Sequence, residues 1–151
     1  MAEPVTSSAV HAVELPDEAA TVALGRALAA ALPAERGGLL LTLAGELGAG
    51  KSTLARALLR ALGHEGPVPS PTYTLVEPYE FAAGPVYHVD LYRICSADEL
   101  TYLGWEELAC GLRLVEWPER VAGLAAQADV AITLDYAGAG RRARATAGTP
   151  R

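Results

Sequence analysis

A short apolar segment that runs directly into a glycine-rich turn constrains the fold of this chain more than any other feature. Residues 39–44 are apolar apart from Thr42, and the segment GELGAGKS occupies residues 45–52 immediately after them. An apolar run of this length is typical of a parallel strand that is buried on both faces. The turn has the complete G-x-x-x-x-G-K-[ST] spacing of a phosphate-binding loop. We therefore expect a strand, a phosphate-binding loop and a helix, in that order.

The only lysine of the chain lies in this loop. Apart from Lys51, every Lys-or-Arg position holds arginine. A compact ammonium on a flexible stem reaches between the β- and γ-phosphates of a nucleotide as a point charge, whereas the guanidinium of arginine is a planar fork. The Ser52 hydroxyl is placed to ligate Mg²⁺ between those phosphates, and Thr53 is expected on the α-phosphate side. The alternative for both hydroxyls is ordinary helix capping.

Two acids follow predicted strands and are candidates for a metal-linked carboxylate. Asp90 follows residues 86–89 and Glu116 follows residues 112–115, both of which are strand-like. Open α/β sheets build their sites at the carboxyl ends of strands. Either acid alone could be a solvated strand-end residue, but we expect at least one to be linked to Mg²⁺. His88 is expected to be a core histidine bonded to backbone, and Trp117 to be either core or a lid.

The hydroxyl-rich segment SPTY at residues 70–73 lies between the loop helix and the next predicted strand. In phosphate-loop switch proteins, a loop at this topological position folds over the γ-phosphate. Thr72 is therefore a candidate contact to the metal or the γ-phosphate. The alternative is a proline-fixed turn that carries a surface threonine.

The rest of the pattern predicts strands and helices in alternation. We expect strands at residues 10–15, 39–44, 73–79, 85–92 and 112–117, helices at 19–32, 52–62, 97–108 (broken near Gly104) and 118–126, and a hairpin of residues 129–136 and 142–146. Asp17 is the expected N-cap of the first helix. This pattern indicates a small three-layer α/β domain, similar to P-loop NTPases, with a mostly parallel central sheet and an antiparallel C-terminal hairpin. We expect one domain over residues 1–146 and a disordered tail over 147–151.

Composition restricts the partners and the compartment. The net charge of -6 and the sequence pI of about 5.0 argue against tight, unaided binding to a polyanion, although Arg141, Arg142 and Arg144 form a local basic cluster. No apolar run is long enough to span a bilayer, and no signal peptide is visible. The two cysteines lack metal-site spacing and are expected to be reduced thiols. These features predict a cytoplasmic protein without a membrane partner.

Other phosphate-loop activities are less consistent with the sequence. A regulatory GTPase that selects guanine through Asn-Lys-x-Asp is excluded, because the chain has no asparagine and no second lysine. A small-molecule kinase remains the alternative, but such kinases use several arginines to clamp the transferring phosphoryl group. Arg93, Arg113 and Arg120 do not cluster in the sequence. A nucleotide-dependent scaffold would differ from an ATPase only in rate.

Five segments together resemble the TsaE family. They are GELGAGKST at residues 45–53, SPTYTLVE at 70–77, HVDLYR at 88–93, LG at 103–104 and LVEWP at 114–118. They occur in the family's order from about residue 16 to residue 144. Ser52 stands where threonine is more usual in the family, which keeps the hydroxyl. Glu46 stands where aspartate is common.

The resemblance implies a weak ATPase that supports threonylcarbamoyladenosine (t6A) modification of tRNA with the proteins TsaD and TsaB, in a turnover or reset step. It implies ATP and Mg²⁺ as cofactors, and contact with tRNA only through those partners. By similarity, the phosphates are held by Gly48, Ala49, Gly50, Lys51, Ser52 and Thr53. The metal ligands are Ser52 and Glu116, Asp90 lies near the γ-phosphate, and Glu18 and Arg141 contact the nucleotide. Lys51, Asp90, Glu116 and Thr72 are the candidate catalytic residues. Which of the two acids activates water is left open.

Overall fold

The computed structural model describes residues 10–148, which form a seven-stranded sheet with helices packed on it. The strands are β1 (Val10–Leu15), β2 (Leu40–Gly45), β3 (Val76–Tyr79), β4 (Val86–Asp90), β5 (Leu112–Glu116), β6 (Val130–Ala137) and β7 (Gly140–Ala147). The α-helices are α1 (Glu18–Ala31), α2 (Lys51–Ala61) and α3 (Glu99–Tyr102). Short 3₁₀ turns lie at Glu107–Cys110, Pro118–Arg120 and Ala125–Gln127. The predicted α/β class is confirmed.

Four parallel strands form the centre of the sheet, whose strand order is β1-β7-β6-β2-β5-β4-β3. Strand β2 runs parallel to β5 and β6, and β4 runs parallel to β5. Antiparallel strands complete both edges, with β3 beside β4 on one side and the β6–β7 hairpin followed by β1 on the other. Because the central strands share one direction, their carboxyl ends meet at the same edge, where α/β sheets place their binding sites.

The alternation of β2 side chains explains why the sheet has a core on each face. Leu41 and Leu43 pack in a cluster with α1 and α2. Leu40 packs in a second cluster with Val115 and the turns that follow β4 and β5. Successive side chains of a strand point to opposite faces, so a continuous apolar run such as β2 belongs between two layers. The prediction of a strand buried on both faces is confirmed.

Helices α1 and α2 pack closely where Gly25 of α1 faces the Ala57 side chain of α2. The Asp17 side chain accepts a hydrogen bond of 2.9 Å from the backbone N–H of Ala20, which makes it the N-cap of α1 as predicted. A Cβ atom at Gly25 would lie 2.5 Å from the Cβ of Ala57 on α2. The helix contact therefore depends on glycine at position 25.

Three predicted elements are shorter than expected because the backbone turns inside them. The strand predicted at 73–79 begins only at Val76, because Leu75 has a φ of 70°. The helix predicted at 97–108 is reduced to α3 and a 3₁₀ turn, since Gly104 between them has a φ of 77°. The helix predicted at 118–126 consists of two 3₁₀ turns separated by Gly123, whose φ is 82°.

Two further expectations concern the C-terminal tail and the absence of a membrane-spanning segment. The predicted tail starts at Ala147, which the structure places in β7, and the Gly148 N–H donates to the Asp129 carbonyl at 2.7 Å. Residues 149–151 lie outside the described part of the chain. Within residues 10–148, none of the helices combines the length and the apolar character needed to cross a membrane.

Candidate nucleotide-binding site

The phosphate-binding loop joins the carboxyl end of β2 to the first residue of α2. Gly45 ends β2 with a φ of 148°, and a Cβ there would lie 2.5 Å from the Leu134 carbonyl oxygen. Gly50 is the N-cap of α2 with a φ of 109°, and its carbonyl accepts the N–H of Leu54. These conformations and approaches require glycine. The loop backbone is thereby aimed across the N-terminus of α2, where the helix dipole favours anions.

Lys51 lies inside the loop and is only 5% exposed. Its Nζ donates to the carbonyls of Gly45 and Glu46, the latter at 3.0 Å. The same Nζ lies 4.0 Å from the centre of the Trp117 ring, a cation–π contact. Burial lowers the pKa of Lys51, while the carboxylates of Glu116, Glu119 and Asp90 act in the opposite direction. The ammonium is therefore held at the floor of the loop, among carboxylates that favour its charge.

The two candidate acids meet at the carboxyl ends of neighbouring strands. Asp90 on β4 and Glu116 on β5 are register partners, and they are 3% and 2% exposed. Ser52 Oγ donates to Glu116 Oε1 at 3.3 Å. The other oxygen, Glu116 Oε2, accepts a hydrogen bond of 2.6 Å from His88 Nε2. The sequence-predicted hydroxyl and one predicted acid are thus directly paired, 64 positions apart in the chain.

Asp90 connects the sheet to the hydroxyl-rich segment. Its Oδ1 accepts the backbone N–H of Tyr92 at 2.8 Å, and its Oδ2 accepts the Thr72 hydroxyl at 3.1 Å. The Ser70 and Thr72 hydroxyls are 2.8 Å apart. Burial raises the pKa of Asp90, and the hydrogen bonds from Tyr92 and Thr72 lower it in part. The structure therefore brings Thr72 to the predicted acid, as a switch-like loop would require.

Two hollows flank the loop. One, of about 280 Å³, is lined by Leu47, Gly48, Gly50, Lys51, Ser52, Thr53, Ser70, Thr72, Asp90, Glu116 and Trp117. The other, of about 340 Å³, is lined by Leu15, Pro16, Asp17, Glu18, Thr21, Gly48, Ala49, Gly50, Thr53, Ala139, Gly140 and Arg141. Both include Gly48, Gly50 and Thr53. The residues predicted for phosphates and metal line the first hollow, except Ala49, which lines the second hollow with Glu18 and Arg141.

The donor atoms of the first hollow suit a hard cation that also binds a phosphate chain. No group of three or more His, Cys, Asp or Glu side chains arranged to hold a metal occurs within the described part of the chain. A hydroxyl and a carboxylate at Ser52 and Glu116 are oxygen donors of the kind that Mg²⁺ prefers. Magnesium in nucleotide sites takes its remaining ligands from phosphate oxygens and water. The residues present therefore fit Mg²⁺ bound together with a nucleotide.

The β6–β7 hairpin holds the outer side of the loop. Tyr136 and Arg141 are register partners across this hairpin. The Tyr136 hydroxyl donates to the Leu47 carbonyl at 2.7 Å, and the Arg141 guanidinium donates to the Gly48 carbonyl at 3.1 Å. The Arg141 guanidinium also lies 4.2 Å from the Tyr136 ring centre. The sequence contained no signal for Tyr136, because its partner is 89 positions away.

His88 and Trp117 have more specific positions than the sequence indicated. The expectation of a backbone partner for His88 is wrong, since Nε2 is bonded to the Glu116 carboxylate. Trp117 has a φ of 60° and a ψ of 48°, a left-handed conformation that costs a bulky residue about 1–3 kcal/mol. The ring of Trp117 covers the Lys51 ammonium. The only sequence feature that pointed to His88 was its position two residues before Asp90, which places both side chains on the same face of a strand.

Comparisons with known proteins identify the family of this chain. The model of the family described as Threonylcarbamoyl adenosine biosynthesis protein TsaE matches residues 15–144. A Synechocystis protein named tRNA threonylcarbamoyladenosine biosynthesis protein TsaE is 43% identical over 119 residues, covering 75% of this chain and 73% of that protein. The Haemophilus influenzae protein of the same name is 45% identical over 94 residues. That match covers 61% of this chain and 60% of the Haemophilus protein, less than two thirds of its length.

The fold is also similar to a solved structure. The crystal structure of YdiB from Bacillus subtilis superposes with a TM-score of 0.74 at 27% sequence identity, and covers 95% of this chain and 88% of that chain. The family model spans most of the chain, including the phosphate loop, both acids and Arg141. The chain therefore belongs to the TsaE family, and the relatives from Synechocystis and Haemophilus influenzae are named for the biosynthesis of threonylcarbamoyladenosine in tRNA.

Proposed function

We propose that this protein binds ATP with Mg²⁺ and hydrolyses it slowly, as an accessory ATPase in t6A modification of tRNA that works with TsaD and TsaB. The observation that carries the proposal is the contact of 3.3 Å between Ser52 Oγ and Glu116 Oε1 beside the buried Lys51. A hydroxyl from the first turn of the loop helix and a carboxylate from a neighbouring strand are the protein ligands of magnesium in P-loop NTPases.

Each residue of the site has a role in this proposal. The loop backbone from Gly48 to Gly50 and the ammonium of Lys51 bind the phosphates, and Ser52 and Glu116 hold Mg²⁺. When bound, Mg²⁺ neutralises charge on the β- and γ-phosphate oxygens. Asp90 orients the Thr72 hydroxyl toward the same hollow, through the 3.1 Å hydrogen bond between them. The second hollow, which adjoins the loop at Thr53, receives the nucleoside.

Slow hydrolysis by the isolated protein follows from the charges around the phosphates. Among the described residues, the lining of the hollow that contains Lys51, Asp90 and Glu116 includes no arginine. Arginine fingers stabilise the charge of the phosphoryl-transfer transition state and raise kcat by about 10³–10⁵. We therefore expect a partner protein to supply the missing group or to order the Thr72 loop. The net charge of -6 also favours contact with tRNA through a basic partner rather than directly.

The proposal is tested by ATP hydrolysis in Mg²⁺, with the purified protein alone and with TsaD and TsaB. We expect a low rate alone, at least tenfold stimulation by the two partners together, and loss of that stimulated rate in Glu116→Ala. Tight ATP binding without stimulation would contradict the accessory role. A screen of phosphoryl acceptors would then test the alternative, a small-molecule kinase of the same fold.

A further inference from the structure

Among the described residues, the side chain of His88 makes one polar contact, and that contact is with the proposed metal ligand. His88 lies in the middle of β4 and is 1% exposed. Its Nε2 donates to Glu116 Oε2 on the adjacent strand at 2.6 Å. Its other ring nitrogen, Nδ1, is buried and has no hydrogen-bond partner among the described residues. Within residues 10–148, the Glu116 carboxylate is therefore the one polar partner of the imidazole.

This arrangement is poorly explained by stability alone. A buried polar atom without a partner costs about 1–3 kcal/mol. An apolar side chain of similar volume would avoid the unpaired Nδ1, but it would leave the buried Oε2 of Glu116 without its partner, so the polar group at position 88 is needed only because of Glu116. A histidine that served the core would be expected to have both ring nitrogens bonded. The free-energy cost of the unpaired Nδ1 is consistent with a histidine whose role is to bond the Glu116 carboxylate.

The two oxygens of the Glu116 carboxylate have separate partners. Oε2 is bonded to His88, and Oε1 faces Ser52 Oγ, the other proposed metal ligand. The terminal torsion of a glutamate has a broad energy profile, so without a partner the carboxylate would rotate freely about it. A short hydrogen bond on one oxygen restricts that rotation and keeps the other oxygen directed at the loop. Partners of metal ligands commonly act in this way.

We propose that His88 is a positioning residue that orients Glu116 for Mg²⁺, an inference that rests on the proposed binding of Mg²⁺ and ATP. His88 does not touch the nucleotide or the metal. It acts through the Glu116 carboxylate, so it affects the Mg²⁺ requirement of nucleotide binding. The interaction of the phosphates with the loop and Lys51 is left intact.

Two readouts separate these effects. A fluorescent ATP analogue is titrated in EDTA to measure binding by the loop alone, and Mg²⁺ is then titrated at fixed analogue to obtain its half-saturating concentration. Loss of a residue that orients a metal ligand typically weakens metal affinity 10- to 100-fold. For His88→Leu we expect at least a tenfold higher Mg²⁺ requirement, and analogue affinity in EDTA within about twofold of the wild type.

Conservative variants and a matched control complete the experiment. The amide of His88→Gln reaches Glu116 and should restore a Mg²⁺ requirement close to wild type, whereas the shorter His88→Asn should not. His64→Leu removes a histidine whose Nε2 lies 3.1 Å from the Pro67 carbonyl, beyond the far end of α2, and should leave both readouts unchanged. If His88→Leu does not fold, as judged by thermal unfolding, the comparison of Gln with Asn decides the question.

Different outcomes would refute the positioning role of His88 and the proposed binding of Mg²⁺ and ATP. Equal Mg²⁺ requirements in the wild type and His88→Leu, or in the Gln and Asn variants, would overturn the role of His88. A wild-type protein whose binding of the analogue is indifferent to Mg²⁺ would instead refute the proposed function. Glu116→Gln serves as the reference for complete loss of the carboxylate ligand.

Discussion

The hydroxyl of Tyr136 provides a sensitive test of whether the β6–β7 hairpin holds the phosphate loop in shape. Tyr136→Phe removes one hydrogen bond, the 2.7 Å contact to the Leu47 carbonyl, and leaves the ring in place. The Arg141 guanidinium, 4.2 Å from the ring centre, keeps its stacking partner and its bond to the Gly48 carbonyl. The substitution is thus limited to a single contact on the outer side of the loop.

The expected effect follows from that contact. A neutral hydrogen bond contributes about 0.5–1.5 kcal/mol net, and Tyr136 is 48% exposed, which favours the lower half of that range. If the contact stabilises the binding-competent loop, its loss should weaken ATP affinity about two- to fivefold. Tyr136→Ala also removes the ring under Arg141, so we expect a loss of about tenfold or more.

Isothermal titration with ATP and Mg²⁺ measures these affinities. Tyr102→Phe is the matched control, because Tyr102 on α3 is 89% exposed and does not line either hollow beside the loop. Its affinity should equal that of the wild type. Wild-type affinity in Tyr136→Ala, with the protein folded, would refute the view that the hairpin supports the loop.

Three further results are expected. Lys51→Ala should weaken ATP binding at least tenfold in a titration, because it removes the charged donor to the phosphates, and an unchanged affinity would exclude that role. Gly25→Ala should lower the free energy of unfolding in urea by about 1–3 kcal/mol, since its Cβ would lie 2.5 Å from that of Ala57, and no change would mean that α1 shifts at little cost. Burial raises the pKa of Asp90 in the folded protein above its value of 3.8 in the unfolded chain. The folded state therefore binds this proton more tightly, and the free energy of unfolding falls as pH rises from 3.8 through the raised pKa. Asp90→Asn should therefore unfold at a higher temperature than the wild type at pH 7, with the difference fading below pH 3.8, and a difference that grows in acid would contradict the argument.

The parts of the site that were predictable from the sequence depend on local patterns or on parallel pairing. The phosphate loop is a contiguous segment, and its glycines specify the turn wherever the strand lies. Asp90 and Glu116 could be placed together because each ends a predicted parallel strand, and the structure makes them register partners. The N-cap at Asp17 is likewise a local feature.

The remaining parts depend on contacts that no local pattern encodes. The bond between His88 and Glu116 requires knowing which strands are neighbours and on which face each side chain lies. Tyr136 reaches the loop only because the hairpin packs beside β2. The left-handed conformation of Trp117 is unfavourable for its residue type, so propensity would have excluded it. Helix propensity over residues 97–108 was overridden by the turn at Gly104.

The most decisive experiment on the proposed magnesium–ATP site is equilibrium binding of ATP to the purified protein, with Mg²⁺ and with EDTA. We expect one ATP bound per chain, with an affinity that falls when Mg²⁺ is removed and falls further in Lys51→Ala. No detectable binding at millimolar ATP, or binding that is unaffected by both Mg²⁺ and Lys51→Ala, would contradict the assignment of this loop as a magnesium–ATP site.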